Sequence, residues 1–269
     1  MKLATYTLNM NNVFEFDGDK YKKASTHQKE WGNKLISEFK LIGDEKILDL
    51  GCGDGVLTKQ LSDLVPNGYV LGIDSSQGMI NTAKEIESHN LSFQQLSIND
   101  VDFVDKFDII FSNATLHWVL DHKLLLANSY KALKQNGIIR FNFAGDGNCS
   151  TFFTVIKEVM SLKEFKDNFN EFQWPWYMPT INEYTKLVDS CDFNNIEIWE
   201  ENADRFFSTK DDMIKWIDQP SIVPFLKLVA EGQKDKFRNI VINEMTKRAE
   251  QTDGRCFETF RRINVYAKK

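Results

Sequence analysis

The sequence predicts an α/β fold: a doubly wound, seven-stranded, mostly parallel sheet with a helical cap built from two insertions. Three observations predict it. Short apolar runs alternate with helix-period segments between residues 46 and 143. A glycine turn, Gly51-Cys52-Gly53-Asp54-Gly55, joins the first apolar run to a helical pattern. Two stretches, 145–179 and 209–252, interrupt the alternation with helices of their own.

Residues 1 to about 19 are polar and Asn-rich and read as loop. From Lys20 to Lys40, the side chains of Tyr21, Ala24, Trp31, Leu35, Ile36 and Phe39 share one helical face. Segment 1–45 is thus an N-terminal element carrying one helix. Core segment 46–144 opens with strand one at 46–50, and its helix starts near Gly55 with Val56, Leu57, Leu61 and Leu64 at helical spacing. Strand two is 69–73. Ser75 or Ser76 caps the next helix, which carries Met79, Ile80, Ala83 and Ile86. Strand three is Leu91 to Leu96, and strand four is Phe107 to Ser112. A helix from about Asp121 to Lys134 follows, Gly137 ends its turn, and strand five is Ile138 to Phe143.

The first cap insertion, 145–179, holds a helix from about Thr151 to Phe165 and then Gln173-Trp174-Pro175-Trp176-Tyr177-Met178-Pro179. That aromatic loop either walls an apolar substrate pocket or packs as a hydrophobic patch against the sheet. Residues 180–208 return to the core with a helix at 180–190 and strand six at Ile196 to Trp199. The second insertion, 209–252, carries Met213, Ile214, Trp216 and Ile217 on one helix and Phe237, Ile240, Val241 and Met245 on another. Segment 253–269 is the last core strand, Phe257 to Tyr266, antiparallel to strand six at or near the sheet edge. The insertions are expected over the carboxyl ends of the strands, where open α/β sheets bind ligands.

The chain's 269 residues, 42% of them hydrophobic, are enough for one large domain with insertions. Net charge is −6 with no basic block, which argues against a nucleic-acid partner. Cys52, Cys149, Cys191 and Cys256 have neither metal nor disulfide spacing and suit a reducing cytoplasm. No signal peptide or membrane span is apparent, and oligomeric state is silent.

The chemistry concentrates at the glycine turn. A dinucleotide fingerprint is G-x-G-x-x-G with an acid about 20 residues on. Here the pattern is Asp49-x-Gly51-x-Gly53-x-Gly55, with an acid inside it at the strand end. Asp49 would turn a negative charge to the ligand, which suits an amine or sulfonium and repels a pyrophosphate. Asp74 ends strand two, where a carboxylate can accept from both hydroxyls of a ribose.

At these residues the chain resembles the class I S-adenosylmethionine-dependent methyltransferases, whose fold is Rossmann-like. Asp49, Gly51, Gly53 and Gly55 match the first motif and Asp74 the second. Strand four runs on as Ser112-Asn113-Ala114-Thr115-Leu116-His117-Trp118-Val119, which lacks the Asn/Asp-Pro-Pro-Tyr/Phe signature of amide and nucleobase methylation. It is similar to the trans-aconitate and juvenile-hormone-acid methyltransferases, which esterify small carboxylic acids. Leu91 to Leu96, Gln28-Lys29 and Val265 to Lys269 resemble the second group, and Tyr184 to Trp199 with Met213 to Trp216 the first.

The resemblance implies S-adenosylmethionine as cofactor, S-adenosylhomocysteine as product, a small-molecule carboxylate as acceptor, and no metal. The implied cofactor residues are Asp49, Gly51, Cys52, Gly53, Asp74, Ser75, Met79, Ser97, Ile98 and Asn113. The implied acceptor residues are Tyr21, Gln28, Trp118, Trp174 and Trp176, with Gln28, Trp118 and His117 closest to the chemistry and the N-terminal helix as a lid. A carboxylate is already ionised at neutral pH, so neutral donors such as the Gln28 amide and Trp118 indole suffice to orient it. His117 is expected to position the acceptor; a base or a structural hydrogen bond are its other readings. Taken alone, Tyr21 reads as packing and Gln28 as an exposed helix residue. His27 and His122 read as surface residues, with His122 near the strand-four loop. The families place an acid after strand three for the adenine amine; here Ser97 stands there, with Asn99 or Asp100 as substitutes. The rival functions are N-methylation of a small amine, a cofactor-binding protein without turnover, and an NAD enzyme.

Overall fold

Buried apolar strands need both faces covered, and the sheet satisfies this by alternating with helices. In this computed structural model the described residues are 26–269, with the side chains of 26–28, 219 and 220 left aside. Helix α1 (Thr26–Ser37) precedes β1 (Lys46–Leu50), α2 (Val56–Leu64), β2 (Tyr69–Asp74), α3 (Gln77–Lys84) and β3 (Leu91–Gln95). Strand β4 (Phe107–Asn113), α4 (His122–Ala132) and β5 (Leu133–Ala144) complete the first run. Then come α5 (Ser150–Ser161), α6 (Ile181–Asp189), β6 (Asn194–Asn202) and β7 (Arg205–Phe207). After α7 (Lys210–Trp216), α8 (Val223–Leu226) and α9 (Lys234–Ala249), the chain closes with β8 (Cys256–Glu258) and β9 (Arg261–Lys268).

The main sheet has seven strands in the order β3-β2-β1-β4-β5-β9-β6. Strands β1 to β5 pair in parallel, and β9 lies antiparallel between β5 and β6. The doubly wound mostly parallel sheet is therefore as the sequence predicted, with its order reversing between β1 and β4. Leu35, Ile36, Leu61, Ile80 and Ala83 cover one face. Leu125, Leu126, Tyr184 and Val188 cover the other. A third apolar cluster joins α5, α7, α8 and α9 through Phe152, Trp216, Phe225, Phe237 and Met245.

The last strand is corrected. Residues 257–266 form two strands: β8 leaves the main sheet and pairs with β7 in a separate two-stranded sheet. The physical cause is Glu258. The residue before helix α5, Cys149, sits at φ 51 and provides no side-chain cap. The buried Glu258 carboxylate accepts instead from the backbone N–H groups of Thr151 (3.2 Å), Phe152 (2.9 Å) and Thr259 (2.8 Å). Turning inward to cap that helix breaks the strand at Thr259. Helix α5 also ends earlier than expected, at Ser161, and β5 starts earlier, at Leu133.

Candidate active site

The turn after β1 is pinned to β2: the N–H groups of Gly51 and Cys52 both donate to the Ile73 carbonyl, at 2.8 and 2.9 Å. Gly51 adopts φ 74, and a Cβ built there would lie 2.1 Å from Thr115 Cγ2. Only glycine satisfies both conditions. Asp74 locks the turn from the side. Its Oδ2 accepts from Gly53 N–H at 3.0 Å and its Oδ1 from Ser76 N–H at 2.9 Å. Ser76, rather than Ser75, caps α3 through its hydroxyl, which accepts from Met79 N–H.

A cavity of about 750 Å³ opens beside this turn, over the carboxyl ends of the strands. Its sheet-side wall includes Gly51, Gly53, Asp74, Ser75, Met79, Ser97, Ile98 and Asn99. The far wall brings together His117, Trp118, Trp174, Trp176 and Phe152. A smaller recess shares Gly51, Gly53 and Thr115 with it and is lined further by Lys29, Asp49, Cys52, Asp54 and Asn113. The structure thus gathers Gly51, Gly53, Asp74, Ser75, Met79, Ser97 and Ile98 in one chamber and Asp49, Cys52 and Asn113 in its annex. Tyr21 lies outside the described residues, as does the side chain of Gln28, which is carried on α1.

Of the substitutes for the absent acid after β3, Asn99 lines the cavity and Asp100 does not. Asn99 Oδ1 is buried without a hydrogen-bond partner among the described residues, an acceptor suited to an amine. Ser97 uses its hydroxyl to accept from Asn99 N–H at 3.3 Å.

The aromatic loop combines both expectations. Trp174 and Trp176 pack on Phe225 at 5.8 Å each, so the loop rests on the helical cluster rather than the sheet, while its other side walls the cavity. Trp118 packs against Trp176 with ring centroids 5.1 Å apart and planes tilted by 58°. The turn bearing His117 and Trp118 is fixed from below by His122. That residue is buried, not on the surface: its Nε2 lies 2.9 Å from the Leu116 carbonyl and its Nδ1 3.0 Å from the Tyr184 hydroxyl. Desolvation brings the His122 imidazole down to about 4. Burial, then the Arg262 charge and His122, bring His117 down to about 3, so it is neutral at pH 7.

Sequence reading passes over Arg262, and it names Trp31 on a helical face, Lys29 beside Gln28 and Asp54 in the glycine turn without giving any of the three a place in the site. Lys29, from α1, lies 2.9 Å from the buried Asp54 carboxylate and ties that helix to the glycine turn. Arg262 is 3% exposed and lines the cavity. Strand β9 is buried on both faces, so alternation gave no signal; an arginine inside such a strand was itself the available cue.

The profile of the methyltransferase domain family matches residues 43–217. The chain belongs to the methyltransferase domain family. It is 25% identical to the trans-aconitate 2-methyltransferase of Deinococcus radiodurans, over 83% of this chain and 86% of that one. It is 31% identical to malonyl-[acyl-carrier protein] O-methyltransferase 1 of Ilyobacter polytropus, over 77% of this chain and 74% of that one. In fold it is similar to Haemonchus contortus phosphoethanolamine N-methyltransferase 2 in complex with S-adenosyl-L-methionine, with TM-score 0.59 and 19% identity over 94% of this chain and 56% of that one. The protein is an S-adenosylmethionine-dependent methyltransferase. Among the described residues no three His, Cys, Asp or Glu converge as metal ligands, and no helix is long and apolar enough to cross a membrane.

The cavity fits this methyltransferase cofactor: a glycine turn that a Cβ would fill, a carboxylate beside it, and an orphan acceptor at Asn99. Asp49 adds a pH dependence. Burial, only partly offset by the Thr58 hydroxyl donating at 2.7 Å, pushes its carboxyl up to about 7. A carboxyl raised in the folded state contributes stability that is full below its unfolded value near 4 and is lost as pH rises through about 7. A cationic ligand in the recess favours the ionised form and displaces that proton. S-adenosylmethionine affinity should therefore rise between pH 5 and 7, approaching tenfold per unit. Calorimetry in two buffers of different ionisation enthalpy should count about one proton released at pH 5.5 if one carboxyl ionises. Asp49→Asn should flatten the profile; an unchanged slope in that variant contradicts the assignment.

Proposed function

We propose that the protein transfers the methyl group to the carboxylate of an organic acid, forming an ester. One observation carries this reading: among the described residues, the acceptor side of the cavity offers no effective base. His117 is half-buried on the cavity wall, and desolvation, then the charge of Arg262, bring its imidazole down to about 3, too weakly basic to take a proton from an amine or hydroxyl. Among the described residues, the carboxylates on the wall apart from Asp74 beside the glycine turn are Asp121 and Glu171, both exposed, and Asp121 already caps α4. A nucleophile that arrives ionised needs no such base.

When bound, the cofactor supplies an electrophilic methyl group. The chain's residues hold and orient. In this reading Asp74 accepts from the ribose hydroxyls, and Asn99 with Ser97 and Ile98 receives the adenine. Asp49 and Asn113 line the end that takes the methionyl cation. Trp118 orients the acceptor oxygen and the aromatic walls exclude water. Relatives named as a trans-aconitate 2-methyltransferase and a malonyl-[acyl-carrier protein] O-methyltransferase are consistent with this chemistry.

The test is methyl-labelled S-adenosylmethionine offered with a panel of acids and amines. A base-labile labelled ester is the expected product. Trp118→Phe should slow transfer by roughly tenfold, the worth of a hydrogen bond to a charged group, and leave S-adenosylhomocysteine affinity unchanged. Label appearing only in amines, or wild-type turnover in that variant, overturns the reading or the indole's part in it.

A further inference from the structure

Resting on the reading that Trp118 orients the acceptor, we propose that His122, acting with Tyr184, is a positioning residue for methyl transfer. The pair holds the acceptor wall at a fixed place relative to the cofactor corner, and so sets the rate of transfer without touching either ligand. Neither His122 nor Tyr184 lines the cavity.

The turn Leu116–Trp118, which carries His117 and Trp118, is short and makes few bonds of its own. The Trp118 N–H donates to the Thr115 carbonyl and the Val119 N–H to the Leu116 carbonyl, each at 2.9 Å. The chain enters the turn through Ala114 at φ 58, a left-handed conformation that a residue with a Cβ keeps only where its surroundings impose it. Contacts from outside impose it here. Ala114 N–H donates to the Asn142 carbonyl at 2.7 Å, and the Thr115 hydroxyl to the Gly51 carbonyl at 3.1 Å, which ties the turn to the cofactor corner. Tyr177 N–H donates to the His117 carbonyl at 2.8 Å, which ties it to the aromatic loop.

His122 holds the turn from beneath. The Leu116 carbonyl can only accept, so Nε2 carries the proton and donates to it at 2.9 Å, while Nδ1 accepts from the Tyr184 hydroxyl at 3.0 Å. Both anchors are rigid: His122 is the first residue of α4, whose start Asp121 caps, and Tyr184 is fully buried in α6. The rings of Phe143, Tyr177 and Tyr184 pack around the imidazole with centroids 5.2, 4.7 and 5.3 Å away. Tyr177 belongs to the same loop as Trp176, the neighbour of Trp118. One imidazole therefore supports both halves of the acceptor wall, the turn by a hydrogen bond and the loop by ring contact. Transfer needs the acceptor atom in line with the methyl group, and a misplacement of about 1 Å can cost about 100-fold in rate. Without the clamp Ala114 is free to relax and the turn to drift, while Asp74 still brackets the glycine turn.

The experiment uses the full chain labelled with 5-fluorotryptophan and saturated with S-adenosylhomocysteine. Fluorine NMR reads Trp118, whose signal is assigned by its loss in Trp118→Phe. That signal should be single and sharp in the parent and broadened or split in His122→Phe and Tyr184→Phe, with S-adenosylhomocysteine affinity unchanged by calorimetry. His122→Gln, whose amide can donate to Leu116 and accept from Tyr184, should restore the sharp signal. Turnover is measured with labelled S-adenosylmethionine on whichever of 3-phenylpropionate, decanoate and trans-aconitate the parent esterifies. His122→Phe should lower kcat by about 100-fold and Tyr184→Phe by about tenfold, with KM changed less, and His122→Gln should return most of the loss. A sharp, unshifted Trp118 signal in both damaging variants, or parental kcat in both, overturns the inference. Loss of S-adenosylhomocysteine binding in step with kcat overturns it too, since His122 would then only support the fold at large. Should His122→Phe fail to fold, Tyr184→Phe, which removes a single oxygen, carries the same test. If none of the acids is esterified, the carboxylate reading fails and the fluorine signal still decides the part of His122.

Discussion

Asp74→Ala should weaken S-adenosylhomocysteine binding by about 100-fold, because two kinds of interaction fail together. The carboxylate is the charged acceptor assigned to the ribose, and each charge-assisted hydrogen bond is worth about 1.5–3 kcal/mol. It is also the bracket that accepts from the Gly53 and Ser76 N–H groups, so its removal frees the glycine turn at the same time. Asp74→Asn separates the two contributions. The amide retains one acceptor oxygen and much of the bracket's shape but loses the charge, so a loss nearer tenfold is expected. Titration calorimetry reads both variants, and thermal melts report whether the turn alone has loosened. Wild-type affinity in Asp74→Ala would remove this residue from the cofactor site.

Gly51→Ala should be comparably damaging by a different route. At φ 74 an alanine costs about 1–2 kcal/mol in backbone strain alone. The added methyl would also meet Thr115 Cγ2, Cβ and Oγ1 at 2.1, 2.6 and 2.6 Å, so either the turn or the segment after β4 must move. Thr115 donates its hydroxyl to the Gly51 carbonyl at 3.1 Å, and that bond would be strained or lost. Melting temperature should fall by several degrees and cofactor binding should be undetectable at concentrations that saturate the parent. The double variant Gly51→Ala, Thr115→Gly removes the overlap and leaves the φ strain, so it should recover part of the stability. Parental stability and affinity in Gly51→Ala would show that the turn tolerates a side chain and is not the close-fitting corner described.

The central sheet was legible because strand and helix periods alternate cleanly through Ala144, and the glycine turn carries its own geometry in its residue types. The place of Asp74 at the end of β2 is legible because it closes the apolar run from Tyr69 to Ile73. The cap was harder. Glu258 and Thr259 look like ordinary strand residues, and only the helix start after Cys149, distant in sequence, explains why the chain breaks there. Arg262 and His122 were misread or overlooked for a related reason: their partners, Asn142 and Tyr184, come from other elements, so the satisfied burial of each is a tertiary fact. The aromatic residues of the Trp174–Trp176 loop suit either a pocket wall or packing; the loop does both, because each of its sides faces a different surface.

A crystal structure of the protein with S-adenosylhomocysteine tests the central claim most directly. The sugar hydroxyls should lie within hydrogen-bond distance of Asp74, the adenine amine near Asn99, and the thioether sulfur should face Trp118. A nucleoside bound elsewhere, or a glycine corner closed by side chains in that crystal, would contradict it.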